Sequence, residues 1–290
     1  MQQLFSLLSP KAQPSILRST FGIMLLFSSF FTSLSAQGNY TTIISGYDWG
    51  PAVNKVVLSL DASTTEANSS HYSVFAVRQT DCVELPAAVS AGPRQVVHAY
   101  VSDAMGNHSD EGEHITLVLA VAPNDPIGSP IQYTRNDQCR GNNWIDYRMT
   151  IVNQQTGQSW QQETNRIRPL IDDFDLSGQF THGTVQLSYA WYSPTTASSD
   201  KKPLIIWLHG GGEGGTDPSI ALIANRAANY ASEEIQRYFG AGAYVLAPQT
   251  PTYWMDSGDG YTRGDKEDIY HEALMALFQD FVQNHPDIDT

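Results

Sequence analysis

The chain has 290 residues, of which 41% are hydrophobic and 16% are charged, and its formal net charge is −14. The length suggests two domains at roughly 150 residues each, and the apolar content excludes a wholly disordered chain. Thirty acidic residues against sixteen basic ones oppose binding to a phosphate backbone. We therefore expect a well-solvated protein with no nucleic-acid partner.

An apolar segment near the N-terminus predicts a signal peptide over residues 1–36. Lys11 and Arg18 precede the apolar run 21–31, and small residues follow it as far as Ala36. A basic start, a short apolar core and a small-residue flank are the parts of a secretory leader. An uncleaved anchor is the alternative, but the run is short for about 30 Å of hydrocarbon. We expect an exported protein, secreted or periplasmic, with no stable membrane association after cleavage.

The segment 38–168 predicts an all-β domain. It contains short β-rich runs that are separated by turn-forming residues, and no part of it has convincing helical periodicity. The runs cover residues 56–60, 72–77, 95–101, 115–121 and 144–152. Several short strands at this spacing favour a β-sandwich, and the immunoglobulin-like type is the most typical one.

The chain contains two cysteines, Cys82 and Cys139. An even pair in an oxidising compartment predicts a disulfide, and two buried free thiols are the alternative. No second cysteine or histidine stands at ligand spacing from either one. We therefore expect no metal site at these residues.

The pattern changes to alternating strands and helices in the segment 169–290. Apolar and polar residues alternate over 185–191, which is typical of a half-exposed antiparallel strand. The runs 204–208 and 243–248 are apolar on both faces, as central strands of a helix-covered sheet are. This order of elements predicts an α/β domain with a mostly parallel sheet.

Two helices are predicted between and after these strands. Asp217 is the expected N-cap of the first helix, with Pro218 at its first position. Asp265 is the expected cap of the second helix. The buried face of the second helix is predicted from its four-residue spacing to comprise Ile269, Ala273, Leu277 and Phe281.

A glycine-rich loop carries the strongest chemical signal. His209-Gly210-Gly211-Gly212 directly follows the buried strand 204–208. Without Cβ atoms, backbone N–H groups can approach a ligand closely, and preorganised donors of this kind suit a developing oxyanion. A flexible surface turn is the alternative. A phosphate loop is disfavoured, because the G-x-x-x-x-G-K-[ST] pattern is missing and Glu213 would repel phosphate.

On these residues the segment 169–290 resembles an α/β-hydrolase, specifically the secreted prolyl oligopeptidase-like and esterase-like serine hydrolases with an N-terminal immunoglobulin-like domain. In that family an HGGG-type motif between the third strand and the first helix forms one side of the oxyanion hole. The resemblance implies that the N–H groups of Gly211 and Gly212 are oxyanion donors and that His209 supports the loop. It also implies a small ester or peptide substrate, an acyl-enzyme intermediate, and neither metal nor cofactor.

The nucleophile expected from the resemblance is missing. The family places its serine in G-x-S-x-G, followed by an acid and a histidine, and this chain contains no such motif. Ser257, beside Gly258 and Gly260, is the nearest imitation but lacks the first glycine. We therefore expect a partial hydrolase domain, truncated before the nucleophile, that is inactive as a 290-residue fragment. A noncatalytic exported binding or adhesion module with a remnant α/β domain is the alternative.

Overall fold

The structure is a computed structural model that describes residues 37–196 and 198–290, so the predicted signal peptide lies outside the described residues. The first ten strands form an eight-stranded sheet, of order β4-β3-β9-β10-β1-β2-β6-β5, and the two-stranded hairpin β7-β8. These strands are β1 (Gln37–Tyr47), β2 (Gly50–Thr64), β3 (Tyr72–Gln79), β4 (Ala91–Arg94), β5 (Val96–Ser102), β6 (Gly112–Leu119), β7 (Ile131–Arg135), β8 (Arg140–Trp144), β9 (Asp146–Asn153) and β10 (Ser159–Ile167). A single helical turn, α1 (Ala87–Ser90), lies between β3 and β4 and is too short to leave a periodic signal in the sequence.

The eight-stranded sheet folds over its own core. Strands β9 and β10 pair over only two residue pairs, which lets the sheet bend between them. Tyr40 of β1 accepts a hydrogen bond from the Met149 N–H of β9 across the core, at 2.9 Å. Arg94, near one end of the strand order, donates to the Val53 carbonyl of β2, near the other end, at 3.0 Å. The two ends therefore meet, as in the sandwich that the sequence predicts.

A second, four-stranded sheet has the order β11-β12-β14-β13. Its strands are β11 (Asp175–His182), β12 (Val185–Tyr192), β13 (Leu204–Ile206) and β14 (Tyr244–Gln249). Strand β12 is antiparallel to both of its neighbours, whereas β13 and β14 are parallel. The expectation of a mostly parallel sheet was therefore wrong for the described strands, because the hairpin β11-β12 joins the sheet in antiparallel pairing. The described residues form one compact unit, and a continuous apolar core joins side chains of both sheets.

Strand β12 is more buried than its alternating pattern predicts. Leu187 packs against Leu277 of the last helix, as expected for the apolar face. The opposite face is buried too, because Ala190 lies in the continuous core with Leu222. The expectation of a half-exposed strand was wrong for this reason: both faces of the sheet are covered.

Three helices accompany the second sheet: α2 (Pro218–Ile223), α3 (Glu233–Gln236) and α4 (His271–Asn284). The predicted start of α2 is confirmed, since the Asp217 side chain accepts a hydrogen bond from the Ser219 N–H at 3.0 Å. No helix in the described part of the chain is long and apolar enough to cross a membrane.

The predicted start of the last helix was wrong. Helix α4 begins at His271, whose N–H donates to Asp268, whereas Asp265 accepts from the Arg263 N–H within the preceding loop. Ile269 is 43% exposed and lies outside the helix. Its N–H donates to the Asp256 carbonyl, which holds this segment in a loop. The rest of the predicted face, Ala273, Leu277 and Phe281, is buried as expected.

Strand β13 lies at an edge of the described sheet rather than at its centre. Its partner on one side is β14, and on the other side the described residues provide only a parallel bridge between Lys202 and Ile288. Ile206 is 38% and Leu208 46% exposed. The double-sided apolar pattern of 204–208 is therefore only partly matched by burial.

Candidate active site

The glycine-rich loop connects the end of β13 to the start of α2. The Glu213 N–H donates to the Gly210 carbonyl at 3.2 Å and closes a turn with Gly211 and Gly212 at its centre. The N–H groups of these two glycines donate to no backbone carbonyl of the described residues. Gly211 is exposed and Gly212 is half-buried. Adjacent N–H groups in a turn can form an anion-binding concavity, so this turn is a candidate anion site.

His209 holds the loop from inside. Its Nε2 atom accepts a hydrogen bond from the Thr250 N–H at 3.1 Å, and its Nδ1 atom lies 2.7 Å from the Gly210 carbonyl oxygen. These partners assign the proton to Nδ1 and make the ring neutral. Burial lowers the pKa of His209, and the hydrogen bond to Gly210 opposes this effect in part. The neutral histidine therefore ties the end of β13 to the end of β14.

The same contact fixes the direction of one candidate donor. The Gly210 carbonyl and the Gly211 N–H belong to one planar trans peptide group, so they point in opposite directions. Because the carbonyl is turned towards His209, the Gly211 N–H points away from the histidine. The hydrogen bond of His209 therefore sets the direction of the Gly211 N–H through the Gly210–Gly211 peptide group.

The glycines of the loop differ in how much space a side chain would find at each position. A Cβ atom on Gly211 would meet no atom within 4 Å, whereas one on Gly214 would overlap the backbone carbonyl of Thr252. Gly214 is therefore required by packing, and Gly211 is not. The space over Gly211 stays open to a ligand.

The hairpin β7-β8 meets this loop from the eight-stranded region. The Asn142 N–H donates to the Gly212 carbonyl at 2.7 Å, and its side-chain amide donates to a Glu213 carboxylate oxygen at 3.0 Å. Cys82 and Cys139 form a disulfide with their Cα atoms 5.6 Å apart, at the turn of this hairpin. The sequence did not identify Asn142, because nothing in its local pattern signals a partner 71 residues away.

Ser257 does not join the loop residues in a catalytic arrangement. Its hydroxyl donates to the Gly260 carbonyl at 3.0 Å, within its own turn. The structure thus brings together His209, Gly211 and Gly212, and leaves Ser257 in a separate role.

Other cavities and clusters do not add chemistry to this loop. A groove of about 820 Å³ lies on the eight-stranded region and is lined mainly by polar side chains, including Asn68, Asn153 and Gln158. Within residues 37–196 and 198–290, no group of three or more histidine, cysteine or acidic side chains is placed to hold a metal ion.

A family model and solved structures match this chain. Residues 39–166 match the family described as "Esterase Ig-like N-terminal domain". A solved structure described as the "Crystal Structure of a Thermostable Esterase" aligns with a TM-score of 0.69 and 21% identity, over 86% of this chain and 68% of that chain. No match was found among curated proteins. At this identity the structural likeness shows a shared fold, and the N-terminal match adds an immunoglobulin-like domain of the esterase type. Together these matches support a hydrolase function.

Proposed function

We propose that this chain provides the oxyanion-binding side of an exported serine hydrolase that cleaves a carboxylic ester or peptide bond through an acyl-enzyme. The observation that carries the proposal is the pair of adjacent amides, Gly211 and Gly212, at the centre of one turn. Neither amide donates to a backbone carbonyl among the described residues. Their N–H groups would stabilise the negative oxygen of a tetrahedral intermediate, because fixed donors need little reorganisation as charge develops.

The position of the loop supports an α/β-hydrolase as the finer fold assignment. The loop follows β13, the third strand of the four-stranded sheet in chain order, and precedes α2, the first helix after it. An HGGG-type oxyanion loop occupies this place in α/β-hydrolases. The esterase match to residues 39–166 favours the ester over the peptide substrate.

The proposal assigns no nucleophile, acid or base to a residue of this chain. Nucleophilic acyl transfer needs an activated serine, and the sequence contains no G-x-S-x-G motif. We therefore expect the 290-residue protein neither to turn over activated esters above background nor to react with a fluorophosphonate. Stoichiometric, serine-dependent labelling of that protein would contradict this assignment.

The oxyanion role is tested by replacing Gly211 and Gly212 with valine in a catalytically active form of the protein. The open space over Gly211 allows the variant to fold, while its side chain would block the N–H. We expect kcat for p-nitrophenyl esters to fall by about 10²–10³-fold, as on loss of one oxyanion donor.

A matched control for the valine variants is Thr216→Val, an exposed position in the same loop, which should retain kcat. An unchanged kcat in folded Gly211→Val would reject the oxyanion role. If no form of the protein labels or turns over any ester, the noncatalytic binding module is favoured. Purification from the exported fraction, with an N-terminus near Gln37, tests the proposed export at the same time.

A further inference from the structure

We propose that Asn142 is a positioning residue, through which the β7-β8 hairpin of the immunoglobulin-like region sets the orientation of the Gly211 and Gly212 donors. This inference rests on the proposed function, because it assigns a purpose to the geometry of the same two amides. It extends the site to a region that the sequence gives no reason to include.

One face of strand β8 is turned towards the glycine-rich loop and its surroundings. Alternate residues of a strand point to the same side, and three alternate residues of β8 each contact the other region. The Arg140 guanidinium lies 4.4 Å from the centre of the Tyr253 ring, and the Trp144 indole N–H donates to the Ser219 hydroxyl at 2.9 Å. Asn142 lies between them. The contacts of Arg140 and Trp144 on either side of it keep Asn142 opposite the loop.

Asn142 fixes the end of the turn that His209 does not reach. His209 holds the Gly210 carbonyl, which orients the peptide group before Gly211. The Asn142 N–H holds the Gly212 carbonyl at 2.7 Å, which orients the peptide group after Gly212. The Gly211 N–H therefore belongs to the first fixed peptide group, and the Gly212 N–H lies in the peptide group between the two fixed ones. With one of these groups released, the turn could rotate its amides away from a common target.

The side chain of Asn142 also holds the buried carboxyl group of Glu213 in place. Glu213 is 8% exposed and forms no ion pair among the described residues. One of its carboxylate oxygens accepts from the Asn142 amide, and the other lies against Gly210. A carboxylate that swung towards the donors would oppose the oxyanion that they are to stabilise, strongly so in a partly buried site. The Asn142 amide keeps the Glu213 carboxyl group away from the two donors.

The hairpin that carries Asn142 is itself anchored. At its base, the buried Arg78 donates to the Ser129 carbonyl at 2.9 Å and to the Ile131 carbonyl at 3.0 Å. At its turn, the disulfide joins Cys139 to Cys82. A hairpin fixed at its base and at its turn can impose a position on a loop, which a mobile surface hairpin could not do.

The experiment uses three variants of the 290-residue protein and one control. Asn142→Ala removes the side-chain amide that holds Glu213 and keeps the backbone N–H that holds the Gly212 carbonyl. Asn142→Asp sets a carboxylate against Glu213. The double variant Asn142→Asp with Glu213→Gln exchanges the two groups and restores a hydrogen bond with reversed polarity. Asn143→Ala is the matched control, because the Asn143 side chain bonds to carbonyls of its own hairpin, those of Arg140 and Gly141.

Two measurements follow the amides of Gly211 and Gly212 in each protein. Nuclear relaxation of ¹⁵N-glycine-labelled protein reports their order, and titration with butyrate reports anion binding through their chemical shifts. We expect order parameters near 0.85 in the unsubstituted protein and lower values in Asn142→Ala, where Glu213 loses its side-chain partner while the backbone N–H of residue 142 still holds the Gly212 carbonyl. The butyrate Kd should rise about tenfold in Asn142→Ala and further in Asn142→Asp. It should return to within about twofold of the original value in the double variant, and Asn143→Ala should leave it unchanged.

The outcomes separate the inference from the proposed function. Equal amide order and equal butyrate affinity in Asn142→Ala and the unsubstituted protein would overturn the positioning role, as would a double variant that recovers nothing. If butyrate shifts neither amide in the unsubstituted protein, the proposed oxyanion role fails, and the relaxation comparison still decides whether Asn142 orders the loop. If Asn142→Asp does not fold, amide order and butyrate affinity in the alanine and double variants decide the outcome.

Discussion

The two sheets of the molecule differ in where their stabilising contacts come from. The eight-stranded sheet closes on itself through Arg94, which is 3% exposed and donates to the Tyr147 hydroxyl at 2.6 Å and to the carbonyls of Val53 and Ala120. The four-stranded sheet has an exposed edge at β13, where Ile206 is 38% exposed. Its glycine-rich loop is braced from the other region by Asn142. The region without candidate chemistry is thus self-supporting, whereas the candidate site depends on contacts from outside its own sheet.

The largest expected effect comes from removing the disulfide that ties the hairpin to the self-supporting region. Cys82 and Cys139 are 57 positions apart, and closing a loop of this length stabilises a fold by about 4 kcal/mol in the chain-entropy model. Replacing both with serine should therefore lower the free energy of unfolding in urea by about that amount. It should also reduce the order of the Gly211 and Gly212 amides, because the hairpin would be anchored only at its base. Reduced, unsubstituted protein is the control and should behave like the variant. If both unfold at the same urea concentration as the oxidised protein, the disulfide is not a structural tie.

A second, smaller effect separates glycines that packing requires from those that leave space for a ligand. Gly214→Ala would press a methyl group against the Thr252 carbonyl, and overpacking of this kind costs about 1–3 kcal/mol or more. Gly211→Ala places its methyl group in open space, so stability should change by no more than about 0.5 kcal/mol. Thermal unfolding of the two variants side by side measures the difference. Equal losses in both would show that the loop is packed alike at the two positions and would weaken the case for an open donor at Gly211.

These contrasts also explain what the sequence could and could not predict. The cap of α2 was predictable because its signals, Asp217 and Pro218, are adjacent in the chain and act locally. The glycine-rich loop was predictable because a strongly apolar run, 204–208, directly precedes it. The start of α4 was not, because the hydrogen bond from Ile269 to the Asp256 carbonyl joins residues of one long loop. Asn142 left no signal at all: its role depends on the docking of two regions, which periodicity and spacing do not encode.

The smallest expected effect is a pH dependence of stability that arises from the internal brace, His209. The pKa of His209 is lowered by burial in the folded protein, whereas an unfolded chain has a histidine pKa of about 6.5. As the pH falls below about 6.5, the unfolded state therefore takes up a proton that the folded state resists. The contribution of His209 is present in full above that pH and is lost progressively towards the lowered folded-state value.

Stability falls at low pH because a proton on Nε2 of His209 would displace the hydrogen bond from the Thr250 N–H. One such group changes the unfolding free energy by at most about 1.4 kcal/mol per pH unit. We expect His209→Gln to be less stable at pH 7.5 but to lose less stability between pH 7 and pH 5 than the unsubstituted protein does. His271→Gln, at an exposed histidine, is the matched control and should keep the original slope. Parallel slopes for His209→Gln and the unsubstituted protein would mean that the brace is not a neutral histidine, and that the Gly211 amide is oriented by another contact.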